Sequence, residues 1–223
     1  MNLDSSKIVV IAPHPDDETI ALGGTLSRFS REGAQISILI VSGHLPPLYK
    51  QEDFEITRNE AKNAFEVMGV SDYEFAEIPA TYIHQKPISE VNGLISRFIT
   101  KRKPKIVFIP FPDRHIDHRT IFDCSVVACR PVNNHSPTCV LAYETLSETH
   151  WNVQGVEPSF LPDMYINISS DIGTKKKALA KYKSQINGNL SRSIEACEAL
   201  AKFRGSQNGC EYAESFKVVR IVI

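Results

Sequence analysis

Apolar residues along this chain fall into short, β-branched runs separated by longer stretches in which apolar positions recur every three or four residues. The runs at 7–13 (KIVVIAP), 35–42 (QISILIVS) and 105–111 (KIVFIPF) are short and continuously apolar, which predicts buried strands. A weaker strand is predicted at 73–78 (YEFAEI). Between them, 25–32 follows Gly23 and Gly24 and stops at Gly33, which predicts a helix. The stretch 55–69 places Ile56, Ala61, Ala64, Phe65 and Met68 on one helical face and ends in Gly69, a natural stop. Residues 88–103 read as an amphipathic helix despite Gly93. Beyond Arg130 the pattern loosens. Strand candidates follow at 138–144 and 164–169, helices at about 171–186 and 191–204, and a closing strand at 216–223.

Alternating strands and helices are the signature of a mostly parallel α/β sheet flanked by helices on both faces. At 223 residues the chain suits one such domain spanning 1–223. The Pro-, Asn- and Ser-rich stretch 131–162 holds one clear strand, and an irregular segment of that length inside a compact domain is functional or mobile.

Composition narrows the field. Net charge is −1, with 23% charged and 42% hydrophobic residues, so no electrostatic drive favours nucleic acid or an anionic membrane. The basic runs 101–105 and 174–183 read as solvated helix faces and ends. No stretch approaches the roughly 18 apolar residues of a membrane span, and the N-terminal residues lack the basic-then-apolar order of a secretory signal. Five cysteines without C-x-x-C spacing fit reduced thiols better than disulfides or a cysteine-type zinc site. A cytoplasmic protein is expected, with room left for a homo-oligomer.

Two short segments carry the chemistry. "PHPDDE" (13–18) leaves the first strand, and "DRHIDH" (113–118) leaves the strand at 105–111; together they hold three of the seven histidines. Loops at the carboxyl ends of parallel strands share one edge of the sheet, where such folds bind ligands. His14 and Asp17, three apart in a turn or first helical turn, can converge on one cation, and His118 completes a His–Asp–His set. Three protein ligands with a fourth position open to water mark a catalytic rather than a structural zinc site. Zn²⁺ is expected, although Fe²⁺, Co²⁺ or Mn²⁺ also suits two nitrogens and an oxygen. Asp16, beside the ligands, is placed to act as general base. His115, as imidazolium, can stabilise an oxyanion or protonate a leaving amine, and Asp117 can fix an imidazole tautomer. Glu18 is expected to bind backbone or orient a ligand. Either segment alone reads equally well as a helix cap or a solvated loop. Two of them at the exits of two apolar strands outweigh that reading.

The pair resembles the LmbE-like (PIG-L type) zinc-dependent deacetylases of N-acetylglucosamine compounds. Weaker support comes from 57–70, 176–185 and 212–216. The resemblance implies a Rossmann-like fold, His14, Asp17 and His118 as zinc ligands, Asp16 as base, and His115 as charged partner to the tetrahedral intermediate with Asp117 supporting it. Arg58 falls where relatives place a substrate-contacting arginine. The likeness departs at Tyr182, where many relatives carry histidine, and it fails over 44–54 and 131–162, the expected substrate-selecting loops. The resulting expectation is a metal-dependent N-deacetylase acting on a small N-acetylated sugar: a glycoside, oligosaccharide, nucleotide sugar or antibiotic precursor. A metal phosphoesterase is disfavoured because the ligands are too few for a two-metal clamp. A non-catalytic binding module is disfavoured because Asp16 and His115 are both present. "PHPDDETIALGG" also lacks the G-x-G-x-x-G of a dinucleotide site. Trp151, Tyr82 and Phe160 read first as core or surface packing, with stacking on a sugar face the lesser alternative, and His44 is a minor candidate to line the same edge.

Overall fold

A computed structural model describes residues 5–222; the last position of the expected closing strand, Ile223, lies outside them, as do residues 1–4. Seven strands form one sheet: β1 (Lys7–Ala12), β2 (Gln35–Gly43), β3 (Asp72–Pro79), β4 (Ile106–Pro110), β5 (Cys139–Tyr143), β6 (Met164–Asn167) and β7 (Ala213–Ile221). Their spatial order is β3-β2-β1-β4-β5-β7-β6. The pairs β3–β2, β2–β1, β1–β4 and β4–β5 are parallel, and β7 runs antiparallel to both β5 and β6. The chain leaves β1 towards one edge and returns to lay β4 on the other side of β1. Strand order therefore reverses between β1 and β4, and the two His/Asp segments emerge side by side from that point.

Alternate residues of each strand feed two cores. Ile8, Val10, Ile38, Ile40 and Phe108 pack with helices α1 (Asp17–Arg31) and α2 (Gln51–Met68) on one face. Val9, Ile11, Leu39, Val107 and Ile109 pack with α3 (Ile88–Arg102) and α4 (Ile116–Ala128) on the other. The remaining helices are α5 (Leu146–Thr149), α6 (Ile172–Leu179), α7 (Lys183–Ile186) and α8 (Ile194–Ser206). Among the described residues, no helix is long and apolar enough to cross a membrane.

Several elements differ from the pattern-based expectation. The first helix starts at Asp17, so "DETIALGG" is helical instead of leading into a helix, and it kinks at Leu22 (φ −139°). The kink frees two N–H groups, of Gly24 and Thr25, and both oxygens of Glu214 accept them at 3.0 and 2.6 Å. Glu214 thus caps the second half of α1 from strand β7. Lys175 of α6 completes the device, donating to Glu214 (2.6 Å) and to the Ile20 carbonyl (2.7 Å). Gly24 is needed here because a Cβ would lie 2.6 Å from the Ile168 side chain.

Helix α2 begins before residue 55, and Ile56, expected on its core face, is 50% exposed. The buried set is Phe54, Thr57, Ala61, Ala64, Phe65 and Met68, with Thr57 completing the i, i+4, i+7 series that Ile56 misses by one position. Gly69 ends the helix in the left-handed conformation (φ 74°), as its place predicts. Helix α4 was not signalled by periodicity, because its apolar positions are weakly segregated. The expected helix at 171–186 breaks into α6 and α7 around Tyr182, whose ring is fully buried. The expected helix at 191–204 opens with a single tight turn before Ser193 caps α8 by accepting from the Ala196 N–H (3.1 Å).

The Lys175–Glu214 pair is 3% exposed at both residues. Removing one partner of a buried pair leaves the other charge uncompensated. Lys175→Met is expected to destabilise the fold by about 3–5 kcal/mol, read from urea unfolding; a loss under about 1 kcal/mol would contradict the capping role.

Candidate metal centre and active site

The loop after β1 and the turn opening α4 bring His14, Asp17, His115, Asp117 and His118 into one cluster at the β1/β4 switch point. The imidazole centroids of His14, His115 and His118 lie 4.6, 5.1 and 5.6 Å apart. Asp17 stands among them. Its Oδ2 is 3.2 Å from His14 Nδ1 and 3.3 Å from His118 Nε2, and it also accepts the His14 N–H at 2.9 Å. Each imidazole has a second carboxylate behind it: Asp117 Oδ2 lies 3.0 Å from His14 Nε2, and Asp113 Oδ2 lies 3.0 Å from His118 Nδ1. Those outer carboxylates are themselves held, Asp117 by the Thr81 N–H (2.7 Å) and Asp113 by the Thr149 hydroxyl (2.9 Å).

This arrangement fits a divalent metal. Bonds of about 2.0–2.1 Å in a tetrahedron put neighbouring ligand atoms about 3.3–3.4 Å apart, close to the two separations made by Asp17 Oδ2. Carboxylates behind the imidazoles are the usual outer support of a metal-ligating histidine. His118 Nε2 and Asp117 Oδ1 are buried without a hydrogen-bond partner, polar atoms that a ligand would satisfy. Five buried carboxyl groups, those of Asp16, Asp17, Glu18, Asp113 and Asp117, crowd this edge. A second grouping, His14–His115–His118, also brings three ring nitrogens within 4.8 Å of one another. Asp17 Oδ2 lies within 3.3 Å of both nitrogens of the first set, and His115 Nδ1 already accepts the Asp117 N–H at 3.2 Å.

Burial works against a charged imidazole at His14, yet its hydrogen bonds to Asp117 and Asp17 prevail and hold the pKa up at about 9. Burial likewise opposes charge on His118, but the Asp17 charge and the bond to Asp113 raise it to about 10. Asp17 is driven well below the usual carboxylate range, the two imidazoles overcoming its burial. In the metal-free protein, protons thus stand where a cation would. His115 differs: burial, reinforced by the charges of His14 and His118, lowers it to about 4. Without a metal it is neutral, with Nδ1 accepting the Asp117 N–H.

Asp16 adopts φ 124°, ψ −30°, a backbone conformation rare outside glycine, and is 1% exposed. Burial raises its carboxyl to about 7, although Arg192 pulls it the other way. Arg192 Nη1 donates to Asp16 Oδ2 (3.0 Å), while Nη2 donates to Glu148 Oε1 of α5 (3.1 Å). Glu18 accepts from the Asp16 N–H (3.3 Å) and from the hydroxyls of Thr19 (2.6 Å) and Tyr182 (2.5 Å). Arg58 is not brought into the cluster: its ion-pair partners are Glu55 and Glu77, at 3.8 and 3.5 Å, and its guanidinium lies over the Phe54 and Phe75 rings. Sequence reasoning gave no role to Arg192, Glu148 or Thr149. Asp113 lay within "DRHIDH", and its spacing from His118 was the one available signal. His44 packs edge-on against Tyr49 at 4.4 Å, and Phe160 against Phe111 at 5.1 Å.

Fold and cluster together define an α/β protein with a candidate metal centre at the switch point of its sheet. The chain belongs to the PIG-L (GlcNAc-PI de-N-acetylase) family, whose signature matches residues 9–129. Diacetylchitobiose deacetylase of Thermococcus kodakarensis is 27% identical over 97% of this chain and 84% of its own length. The N,N'-diacetylchitobiose deacetylase structure from Pyrococcus horikoshii superposes with a TM-score of 0.77 at 22% identity, covering 97% of this chain and 84% of that one. The 4-carboxy-2-hydroxymuconate hydratase of Pseudomonas putida superposes with a TM-score of 0.79 at 16% identity, over 98% of both chains. One fold thus spans different reactions, and the chemistry has to be argued from the site.

The raised imidazole values carry a pH signature. Their stabilisation of the metal-free fold is full below the ordinary imidazole value of 6.5 and is lost as pH climbs through about 9 and 10. A metal must displace those protons. Zn²⁺ affinity, measured by chelator competition, is expected to rise about 10- to 100-fold per pH unit between about pH 6 and 8. A pH-independent affinity would contradict the assigned donor atoms.

Proposed function

We propose that the protein is a metal-dependent N-deacetylase that hydrolyses the acetamide of a small N-acetylglucosamine-type sugar to acetate and a free amine. Family membership supports the reaction class, and the diacetylchitobiose relative supports an amino-sugar substrate. The observation that carries the reading is Asp16, buried and strained directly beside the His14–Asp17–His118 donor set.

In this scheme His14 Nδ1, Asp17 Oδ2 and His118 Nε2 hold the metal, with Zn²⁺ as first choice and Fe²⁺, Co²⁺ or Mn²⁺ compatible with the donors. A divalent metal there supplies Lewis acidity for the amide carbonyl and the attacking water. Asp117 and Asp113 hold the two imidazoles in the tautomers that present those nitrogens. Asp16 takes a proton from the water as its oxygen adds to the acetyl carbon. Its burial-raised affinity strengthens it as the base, and it then hands that proton to the nitrogen as the C–N bond breaks, so the amine leaves neutral. Arg192 fixes Asp16 Oδ2 and leaves Oδ1 for the proton transfer. His115, neutral with its proton on Nε2, donates to the carbonyl oxygen as negative charge develops there. Arg58 stands outside the donor set and keeps its place as the candidate substrate contact.

Asp16→Asn is expected to keep its metal and lose at least about 100-fold in kcat for acetate release. Asp17→Ala is expected to lose the metal itself. Metal analysis beside an acetate assay on N-acetylated sugars separates the two effects. An Asp16→Asn enzyme with near wild-type turnover would remove Asp16 from the mechanism.

A further inference from the structure

Asp16 holds a backbone conformation that an aspartate does not adopt unaided. With φ at 124°, adjacent side chains reach different partners, Asp16 the Arg192 guanidinium and Asp17 the two imidazoles. Rotation about φ also decides where the Asp16 N–H points. That N–H donates to Glu18 Oε2 at 3.3 Å, so this bond restrains φ directly. Arg192 acts on the side chain of Asp16, and Glu18 acts on its main chain.

Such a restraint works only if Glu18 is itself fixed. Glu18 is fully buried, and its Oε1 accepts two hydroxyls, from Thr19 (2.6 Å) and Tyr182 (2.5 Å). Thr19 belongs to the same turn and moves with it. Tyr182 is the outside anchor. Helix α6 stops short of it, and its ring packs in the core beneath α1 and α2. Lys175 of α6 donates to the Ile20 carbonyl at 2.7 Å, so α6 and the turn after it grip the start of α1 at two points. A buried tyrosine hydroxyl needs some partner. What marks this one is that the partner's other oxygen holds the proposed base. Among the described residues, the side-chain hydrogen bonds of Glu18 and Tyr182 lead to Asp16 and Thr19, not to the metal donors.

We infer that Tyr182 and Glu18 are positioning residues for Asp16. The Tyr182 hydroxyl fixes the Glu18 carboxylate, which fixes the Asp16 N–H and with it the direction of the Asp16 side chain. The inference rests on the deacetylase reading in taking Asp16 as the base, and on the hydrogen-bond chain for everything else.

Tyr182→Phe removes the hydroxyl and keeps the ring. Zinc-loaded wild type and variant would be crystallised, and assayed for acetate release from N-acetylglucosamine and its β-linked dimer. In the variant, Asp16 is expected to leave its positive φ or to part from Arg192. Its kcat is expected to fall about tenfold, with KM and zinc content kept within about twofold. In an Asp16→Asn background the same substitution is expected to change kcat by less than about twofold, because its effect runs through Asp16. A merely structural tyrosine would lower both backgrounds alike. Asp16 unmoved in Tyr182→Phe overturns the inference, as does an active variant with unchanged kcat, a loss carried by KM, or a tenfold loss that persists beside Asp16→Asn. Glu18→Met removes both acceptor oxygens, carries the same expectations, and decides the matter if Tyr182→Phe does not fold. If Asp16 moves in the variant while neither enzyme releases acetate, the positioning role stands and the deacetylase reading falls. Acetate release from both with Asp16 unmoved does the reverse.

Discussion

One carboxylate oxygen organises this edge of the molecule. Asp17 Oδ2 faces imidazole nitrogens from two segments far apart in sequence, one after β1 and one opening α4. That contact exists only because β4 pairs with β1 on the side away from β2, so that the exits of the two strands are neighbours. The sheet topology and the donor set are in this sense one feature. Slip the β1–β4 register, and the two histidines no longer share an acid.

Burying so much charge needs compensation, and the structure supplies it in layers. Asp113 and Asp117 stand behind the imidazoles, and backbone and hydroxyl donors stand behind those carboxylates. The one-turn helix α5 serves both sides of the site: Thr149 steadies Asp113, and Glu148 steadies the arginine that grips Asp16. Just beyond, Glu144 holds Arg204 through two contacts of 2.7 and 2.8 Å and takes the Ser215 hydroxyl, tying the end of β5 to α8 and β7. Further back, Glu214 and Lys175 secure the kinked helix that carries Asp17. Buried ionic groups are weak evidence of stability. Here their contacts run outward from the donor set, which is the pattern of a site held in one geometry.

Much of this was legible in the sequence. The apolar runs at 7–13, 35–42 and 105–111 marked the central strands because burial on both faces leaves no polar alternation. Given a parallel sheet, the two His/Asp segments at strand exits had to share an edge. Other features were hidden for physical reasons. The start of α1 was obscured by Gly23 and Gly24, whose helix-breaking tendency is overcome by a carboxylate 190 residues away. Arg192 sits in a polar turn, where nothing local distinguishes it from a solvated arginine; only the tertiary fold sets it against Asp16. The neutral state of His115 depends on its neighbours' charges and on one backbone N–H, neither of which a motif displays. Arg58, inferred from resemblance alone, had no local physical signal in the sequence.

The central claim is that His14, Asp17 and His118 hold one metal ion. Anomalous diffraction from crystals of zinc-loaded protein, collected at the zinc edge, tests it most directly. One peak is expected within about 2.0–2.2 Å of His14 Nδ1, Asp17 Oδ2 and His118 Nε2, with His115 outside bonding distance. No peak at this cluster, or a peak ligated by His115 with Asp17 turned away, would contradict the claim.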